Sequence, residues 1–286
     1  MFVADNWKDY ADLDTGDGEK LERWGKVILC RPDPQVIWPA EKPELWKSAH
    51  ARYHRSQSGG GKWEMLKKLP ESWTIQYGEL RFLVRPTGFK HTGLFPEQAA
   101  NWDWMAGLIR NANRPIKVLN LFAYTGGATM ACRQAGAEVC HVDAAKGMVS
   151  WAKENAELSG LKDRPARFLV DDALKFVQRE QRRGHHYDGI LMDPPSYGRG
   201  PDGQVWKLEN EVYGLVSECA KLLSDQPLFF LLNAYTTGLQ PAVLRNLLEK
   251  TVCARHSGHV DSEELCLPVE NSSIVLPCGA SGRWQR

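Results

Sequence analysis

The chain has 286 residues, 43% of them hydrophobic, with 36 Lys and Arg against 35 Asp and Glu; this length supports one large or two modest domains, and the balanced charge argues neither for nor against nucleic acid. Seven cysteines, an odd number without a C-x-x-C pair, argue against a disulfide framework or a zinc site. No apolar run approaches the roughly 18 residues of a membrane span, and the opening Met-Phe-Val-Ala-Asp-Asn-Trp-Lys lacks the basic-then-apolar order of a signal peptide, so the expected setting is the reducing cytoplasm.

The first 95 residues predict a β-rich module. Eight of the eleven tryptophans fall within the first 104 residues, and short apolar stretches such as Trp24–Cys30 and Glu79–Val84 are separated by Pro and Gly. A mobile loop is expected at Ser56–Lys62, where three glycines follow one another. Residues 1–22 carry seven acids and two bases, whereas 41–90 carry ten bases and five acids. That second segment suits either a solvated face or a basic surface whose aromatics stack on nucleotides. His50 and His54 are spaced to share one face of a helix, but no third ligand accompanies them, and no metal is expected.

Alternating strands and helices begin near Pro115, and the second domain is expected over residues 96–286. The predicted strands are Ile116–Phe122, Glu138–Asp143, Ala166–Val170, Tyr187–Met192 and Leu228–Leu232. The predicted helices are Gly127–Ala135, Ala145–Leu158, Ala173–Arg182, Val205–Leu223 and Pro241–Lys250. Repeated βα units imply a parallel sheet with right-handed crossovers. A closing hairpin, Glu263–Pro268 with Ser273–Cys278, makes the last strand antiparallel.

Chemistry gathers where these strands end. After the first comes Phe122-Ala123-Tyr124-Thr125-Gly126-Gly127, whose glycine pair allows a tight turn but lacks the G-x-G-x-x-G spacing of a dinucleotide fold. Asp143 closes the second strand, where an acid can accept from both hydroxyls of a ribose. Asp171 and Asp172 stand at the third strand-to-helix junction; Asp172 is read as helix cap and base reader combined, with Asp171 as the next candidate. The fourth strand ends in Asp193-Pro194-Pro195-Ser196-Tyr197. Pro194 disfavours a helical Asp193, and neither proline donates to a sheet, so Asp193 is expected at the carboxyl end of a central strand, where open α/β sheets bind ligands.

Together Val118–Gly127, Asp143, Asp171-Asp172 and Asp193–Tyr197 resemble a class I S-adenosylmethionine-dependent methyltransferase. More narrowly, they are similar to the bacterial group that contains ribosomal RNA large-subunit methyltransferases I and K. The resemblance runs from about Tyr77 to the C-terminus and includes Gly88–Gln98, which is similar to that group's Lys-Thr-Gly-Phe-Phe segment. It implies a Rossmann-like, seven-stranded α/β sheet with an antiparallel last strand, behind a small β-rich N-terminal region. It further implies S-adenosylmethionine as cofactor. Phe122, Ala123, Tyr124, Thr125 and Gly126 would wrap the methionine moiety, Asp143 with Ala144 the ribose, and Asp171, Asp172 and Ala173 the adenine. Thr92, Phe95 and Gln98 would cover the cofactor. Asp193, Pro194, Pro195 and Ser196 would face the methyl group and substrate, and Tyr197–Gly203 would form a substrate loop.

The target atom can be narrowed. Carbon-5 of cytosine needs a temporary bond to a cysteine thiolate, and members of the group with that activity carry the cysteine just past the fourth or fifth strand. Those places read Pro195-Ser196-Tyr197 and Leu232-Asn233-Ala234-Tyr235 here. Cys266 and Cys278, on the closing hairpin, read better as structural thiols. A base nitrogen is the more compatible target, because Asp193 and the Pro194 carbonyl can accept from an amino group. Tyr197 fits either stacking on an extruded base or packing. The expectation is therefore methyl transfer to a base nitrogen of structured RNA, ribosomal RNA being favoured. A small-molecule or protein-side-chain methyltransferase is the alternative, and a non-catalytic RNA-binding scaffold the second.

Overall fold

The computed structural model describes residues 1–56, 60–199, 205–236 and 238–286. Parts of the expected loops at Ser56–Lys62 and Tyr197–Gly203 lie outside the described residues. The chain divides into two compact units, one of Met1–Phe2, Ala100–Leu265 and Cys278–Arg286, the other of Val3–Ala99 and Cys266–Pro277. This differs from a division at 95/96, chiefly because the tip of the closing hairpin joins the N-terminal unit. Backbone chemistry explains that membership: Glu270 N–H donates to the Asp12 carbonyl (2.7 Å), Lys42 Nζ to the Glu270 carbonyl (2.5 Å) and Gln35 Nε2 to the Pro277 carbonyl (2.9 Å).

After β1 (Phe2–Val3), the N-terminal unit is built from β2 (Tyr10–Gly16), β3 (Glu19–Trp24), β4 (Val27–Pro32), β5 (Ala51–Arg55), β6 (Gly61–Met65), β7 (Trp73–Tyr77) and β8 (Leu80–Val84). Strands β2 to β6 pair in sequence order as one sheet, and β7 and β8 form a hairpin. The apolar run Trp24–Cys30 is thus two strands, broken at Gly25, whose φ of 63° is left-handed. His50 and His54 do not share a helix. His54 lies on β5 against Glu64 (2.6 Å), and His50 Nδ1 accepts from Ile28 N–H (3.1 Å). Beneath the sheet lies a buried charged cluster. Arg31 grips Glu22 with Nε and Nη2 at 2.5 Å each, and Tyr10 donates to Glu22 (2.7 Å) and Asp12 (2.9 Å). Such a pair is held by its geometry, because each ion has lost its water.

The larger unit begins with a helix that the sequence did not announce, α1 (Ala99–Asn111). It continues β9 (Lys117–Leu121), α2 (Gly127–Gln134), β10 (Glu138–Asp143), α3 (Lys146–Leu158), β11 (Ala166–Val170), α4 (Ala173–Arg182) and β12 (Gly189–Met192). A short hairpin follows, β13 (Tyr197–Arg199) with β14 (Val205–Lys207). The unit closes with α5 (Leu208–Ala220), β15 (Phe229–Ala234), α6 (Pro241–Thr251), β16 (His259–Pro268) and β17 (Val275–Gln285). The large sheet runs β1-β16-β17-β15-β12-β9-β10-β11. Strands β15, β12, β9, β10 and β11 are parallel, whereas β17 opposes β15. Seven strands match the expected class I order with its antiparallel strand, and β1 adds an eighth at the edge.

All four residues of β12 are buried between β9 and β15, which is why an unbroken apolar Gly-Ile-Leu-Met forms a central strand. The main core fills one face of the sheet, with Leu119, Ile190, Phe230 and Leu232 packed against Phe176, Val212, Val216 and Leu248. Helix α4 shows the local rules at work. The Asp172 carboxylate accepts from Lys175 N–H (2.9 Å) as N-cap, Arg179 and Arg182 complement the last turn, and Ala173, Phe176 and Val177 face inward. A buried polar tie joins α1 to the sheet: Asn101 donates to Asn233 and Ser281 (3.1 Å each) and accepts from Arg283 Nε (2.8 Å).

A second buried polar chain runs from Asn120 to the Thr129 hydroxyl (2.9 Å) and on to His141 Nδ1 (3.0 Å). Burial, with the Arg133 guanidinium nearby, pushes the His141 imidazole down to about 3. In an unfolded chain it titrates near 6.5, so between those limits the unfolded state binds the extra proton and the fold does not. Stability should therefore be lost as pH falls from 6.5 through 3, at up to about 1.4 kcal/mol per pH unit from this one group. In urea unfolding at pH 7 and pH 4.5, His141→Gln should shrink the difference between the two midpoints. An unchanged difference would acquit His141.

Candidate active site

Register decides what the strand ends bring together. Leu121 of β9 pairs with Met192 of β12 on one side and with Val142 of β10 on the other, while Asp143 pairs with Val170 of β11. Phe122, Asp143, Asp171 and Asp193 therefore leave four adjacent parallel strands at one edge. Strand order reverses between β9 and β12, the switch point at which doubly wound sheets take their ligands.

The loop after β9 is tightly coiled. Phe122, Tyr124 and Gly126 all have left-handed φ, at 54°, 51° and 86°. Each non-glycine residue so held costs on the order of 1 kcal/mol, a strain that persists only where the surroundings fix it. They do: Ala123 N–H donates to the Val142 carbonyl (3.1 Å), Tyr124 N–H to Asp143 Oδ2 (2.8 Å), and Asn155 Nδ2 to the Thr125 carbonyl (2.8 Å). The Gly126 amide returns to the Ala123 carbonyl (3.0 Å), and α2 starts at the next residue.

Gly127 permits a close approach. A Cβ there would stand 2.5 Å from Trp102 Cζ2 of α1, and Trp102 is itself buried. Gly127→Ala should consequently cost about 1–3 kcal/mol in urea unfolding, since an overpacked ring has nowhere to turn. A variant as stable as the parent would show that Trp102 yields freely.

Asp143 is half-buried, with Oδ2 on Tyr124 N–H and Oδ1 on Ala145 N–H, both at 2.8 Å. A carboxylate offers about four acceptor positions, so two protein donors leave capacity for two hydroxyls. The residues present fit a ribose. At the next strand the two acids separate in role. Asp171 accepts from its neighbour's N–H and is paired with Arg179, whereas Asp172 is exposed and spends one oxygen on the α4 cap. Ala173, which follows, is buried.

Asp193 stands half-buried directly after β12, and Pro194 is buried. The rest of that turn is tied down by residues the sequence reading passed over. Trp206 Nε1 donates to the Pro195 carbonyl (2.7 Å), Thr236 Oγ1 to Ser196 Oγ (2.5 Å), and Leu208 N–H to the Ser196 carbonyl (3.1 Å). Pro195 and Ser196, both exposed, thus each have protein hydrogen-bond partners in this turn. Tyr197 is half exposed, at 52%, and pairs with Lys207 across the β13–β14 hairpin. Val205–Lys207, expected as the start of a helix, is instead strand. Its Trp206 ring lies 5.8 Å from the Phe122 ring, so one side chain meets both the turn after β12 and the loop after β9.

Thr92, Phe95 and Gln98 belong to the other unit. Thr92 and Gln98 are buried there, and Phe95 lies half-buried at the head of a 3₁₀ turn, 5.3 Å from the His91 ring. The site described here rests on the larger unit alone. Among the described residues no group of three His, Cys, Asp or Glu side chains could hold a metal ion, and no helix is long and apolar enough to cross a membrane.

A doubly wound sheet with an antiparallel strand beside β15, carrying acids on successive strand ends and no dinucleotide glycine motif, defines a methyltransferase-type α/β domain. The comparisons agree. Residues 38–222 match the S-adenosylmethionine-dependent methyltransferase family model, and the chain belongs to that family. Its cofactor is S-adenosylmethionine. The crystal structure of a SAM-dependent methyltransferase from Agrobacterium tumefaciens is 37% identical and superposes with a TM-score of 0.94 over 99% of this chain and 92% of that one. Ribosomal RNA large subunit methyltransferase K of Neisseria meningitidis is 24% identical over 252 residues, covering 82% of this chain and 67% of that protein. The K/L enzyme of Syntrophotalea carbinolica is 32% identical over 147 residues, covering 51% of this chain. The chain spans only 20% of that longer relative's length.

Proposed function

We propose that this protein transfers a methyl group from S-adenosylmethionine to an exocyclic or ring nitrogen of a base in structured RNA, with ribosomal RNA the favoured substrate and the cytoplasm the setting. The observation that carries the reading is the acceptor turn: Asp193 and Pro194 leave β12 beside the loop of β9, with the exposed Tyr197 ring four residues further on. Relatives named for ribosomal RNA methylation support the substrate class.

Bound S-adenosylmethionine supplies a methyl group on a sulfonium, the electrophile of an in-line displacement. The protein's task is alignment and charge placement. In this reading Phe122 to Gly126 take the methionine moiety, Asp143 with Ala144 the ribose, and Asp172 with Ala173 the adenine, Asp171 being already engaged by Arg179. Asp193 and the Pro194 carbonyl accept hydrogen bonds from the amino group of the base and orient its nitrogen. As the nitrogen gains a methyl group it becomes cationic, and the Asp193 carboxylate stabilises that charge and takes the departing proton. Tyr197 stacks on the base.

A carbon-5 target is disfavoured by position: it needs a thiolate nucleophile beside the base, and the turn after β12 reads Pro195-Ser196-Tyr197 while β15 closes with Leu232-Asn233-Ala234 before Tyr235, with no cysteine in either.

The test is transfer of labelled methyl to RNA from a strain lacking the gene, followed by nucleoside mass spectrometry. An N-methylated nucleoside is the expected product. A 5-methylcytosine product would overturn the nitrogen target. No label in naked RNA or ribosomal particles, with cofactor binding confirmed, would transfer the assignment to a protein or small-molecule acceptor.

A further inference from the structure

The β13–β14 hairpin follows the proposed acceptor turn in sequence, and its strand pairing sets Trp206 opposite Gly198. That indole makes two contacts of different kinds. Its N–H donates to the Pro195 carbonyl at 2.7 Å, within the turn that carries Asp193. Its ring meets Phe122 at a centroid distance of 5.8 Å and an interplanar angle of 46°, and Phe122 is the first left-handed residue of the loop after β9. Trp206 also packs against the main core together with Phe122. Two loops from neighbouring strands, far apart in sequence, therefore share one rigid side chain.

Rigid sharing matters for displacement chemistry. Methyl transfer needs donor carbon and acceptor atom held in line, and a misplacement of about 1 Å can cost about a hundredfold in rate. Either loop could shift independently if each were held only by its own strand. We propose that Trp206 is a positioning residue for methyl transfer: its N–H fixes the acceptor turn and its ring fixes Phe122, so the two halves of the site keep one spacing. The same N–H contact occupies one of the two acceptor positions of the Pro195 carbonyl. The inference rests on the RNA reading only for its turnover measurement.

Trp206→Phe keeps a ring against Phe122 and removes the N–H; Trp206→Ala removes both. Calorimetric titration with S-adenosylhomocysteine, which needs no acceptor, should find Trp206→Phe within about twofold of the parent and Trp206→Ala weaker by about fivefold or more. With RNA as acceptor, Trp206→Phe should lose at least about tenfold in kcat while its KM for RNA stays within about threefold. A general loss of structure would instead lower cofactor affinity, KM and thermal midpoint together in both variants. Trp206→Phe with parental kcat would overturn the tie to the acceptor turn, and Trp206→Ala with parental S-adenosylhomocysteine affinity would overturn the tie to Phe122. If Trp206→Ala does not fold, Trp206→Phe still decides the first. If the parent methylates no RNA, the substrate reading fails, and the titrations alone still judge whether Trp206 supports the loop.

Discussion

Asp193→Ala is expected to lower kcat by about 10²–10³ while leaving cofactor affinity within about threefold, the usual scale for removing one preorganised charge-stabilising group. The asymmetry follows from where the charge develops. In the proposed reaction the acceptor amine starts neutral and donates one ordinary hydrogen bond to Asp193. At the transition state it carries growing positive charge, so the carboxylate binds that state more tightly than the ground state, which is the condition for a rate effect. Asp193→Asn separates the two contributions: it preserves a carbonyl acceptor but not the charge, and should recover only part of the alanine loss. The measurement is single-turnover transfer of labelled methyl, beside S-adenosylhomocysteine titration. If affinity falls and turnover at saturation does not, Asp193 serves the cofactor and its place on the acceptor side is wrong.

Elements whose signals were local could be read from sequence. β10, β11 and α4 begin and end as the pattern predicts, because their limits coincide with an acid, a glycine turn or a capping Asp172. The acids at 143, 171 and 193 followed for the same reason: a polar residue ending an apolar strand is visible without a partner. What stayed hidden depends on contacts across the chain. Val205-Trp206-Lys207 is strand only because Tyr197–Arg199 pairs with it, and no capping side chain marks the true helix start at Leu208. The helix over Ala99–Asn111 was masked by its tryptophans, which suggest strands by propensity. Trp102 packs beside Gly127 and Trp104 donates to Gln285 (3.2 Å), partners the local sequence does not announce. Trp206 belongs with these, since its meaning lies in Phe122 and Pro195 rather than in its own neighbours.

Asp143→Ala should weaken cofactor binding by about 1–3 kcal/mol, the cost of stranding hydrogen-bonding partners in a partly buried site. Two losses contribute, and they are distinguishable. One is the acceptor for the ribose hydroxyls. The other is internal, because Asp143 Oδ2 holds the amide of the left-handed Tyr124 and Oδ1 holds that of Ala145. Releasing Tyr124 frees a strained residue to relax, so the loop after β9 should lose order along with the proposed ribose contact. Asp143→Asn retains one carbonyl oxygen for a backbone amide but presents a donor where the other hydroxyl or amide needs an acceptor. It should fall between the parent and alanine. Comparing S-adenosylmethionine with adenosine as ligands in calorimetry resolves the two losses: a ribose contact alone weakens both equally, whereas a relaxed loop weakens S-adenosylmethionine more. Unchanged affinity for both ligands in Asp143→Ala would remove this residue from the site and, with it, the reading of β10's carboxyl end as the ribose subsite.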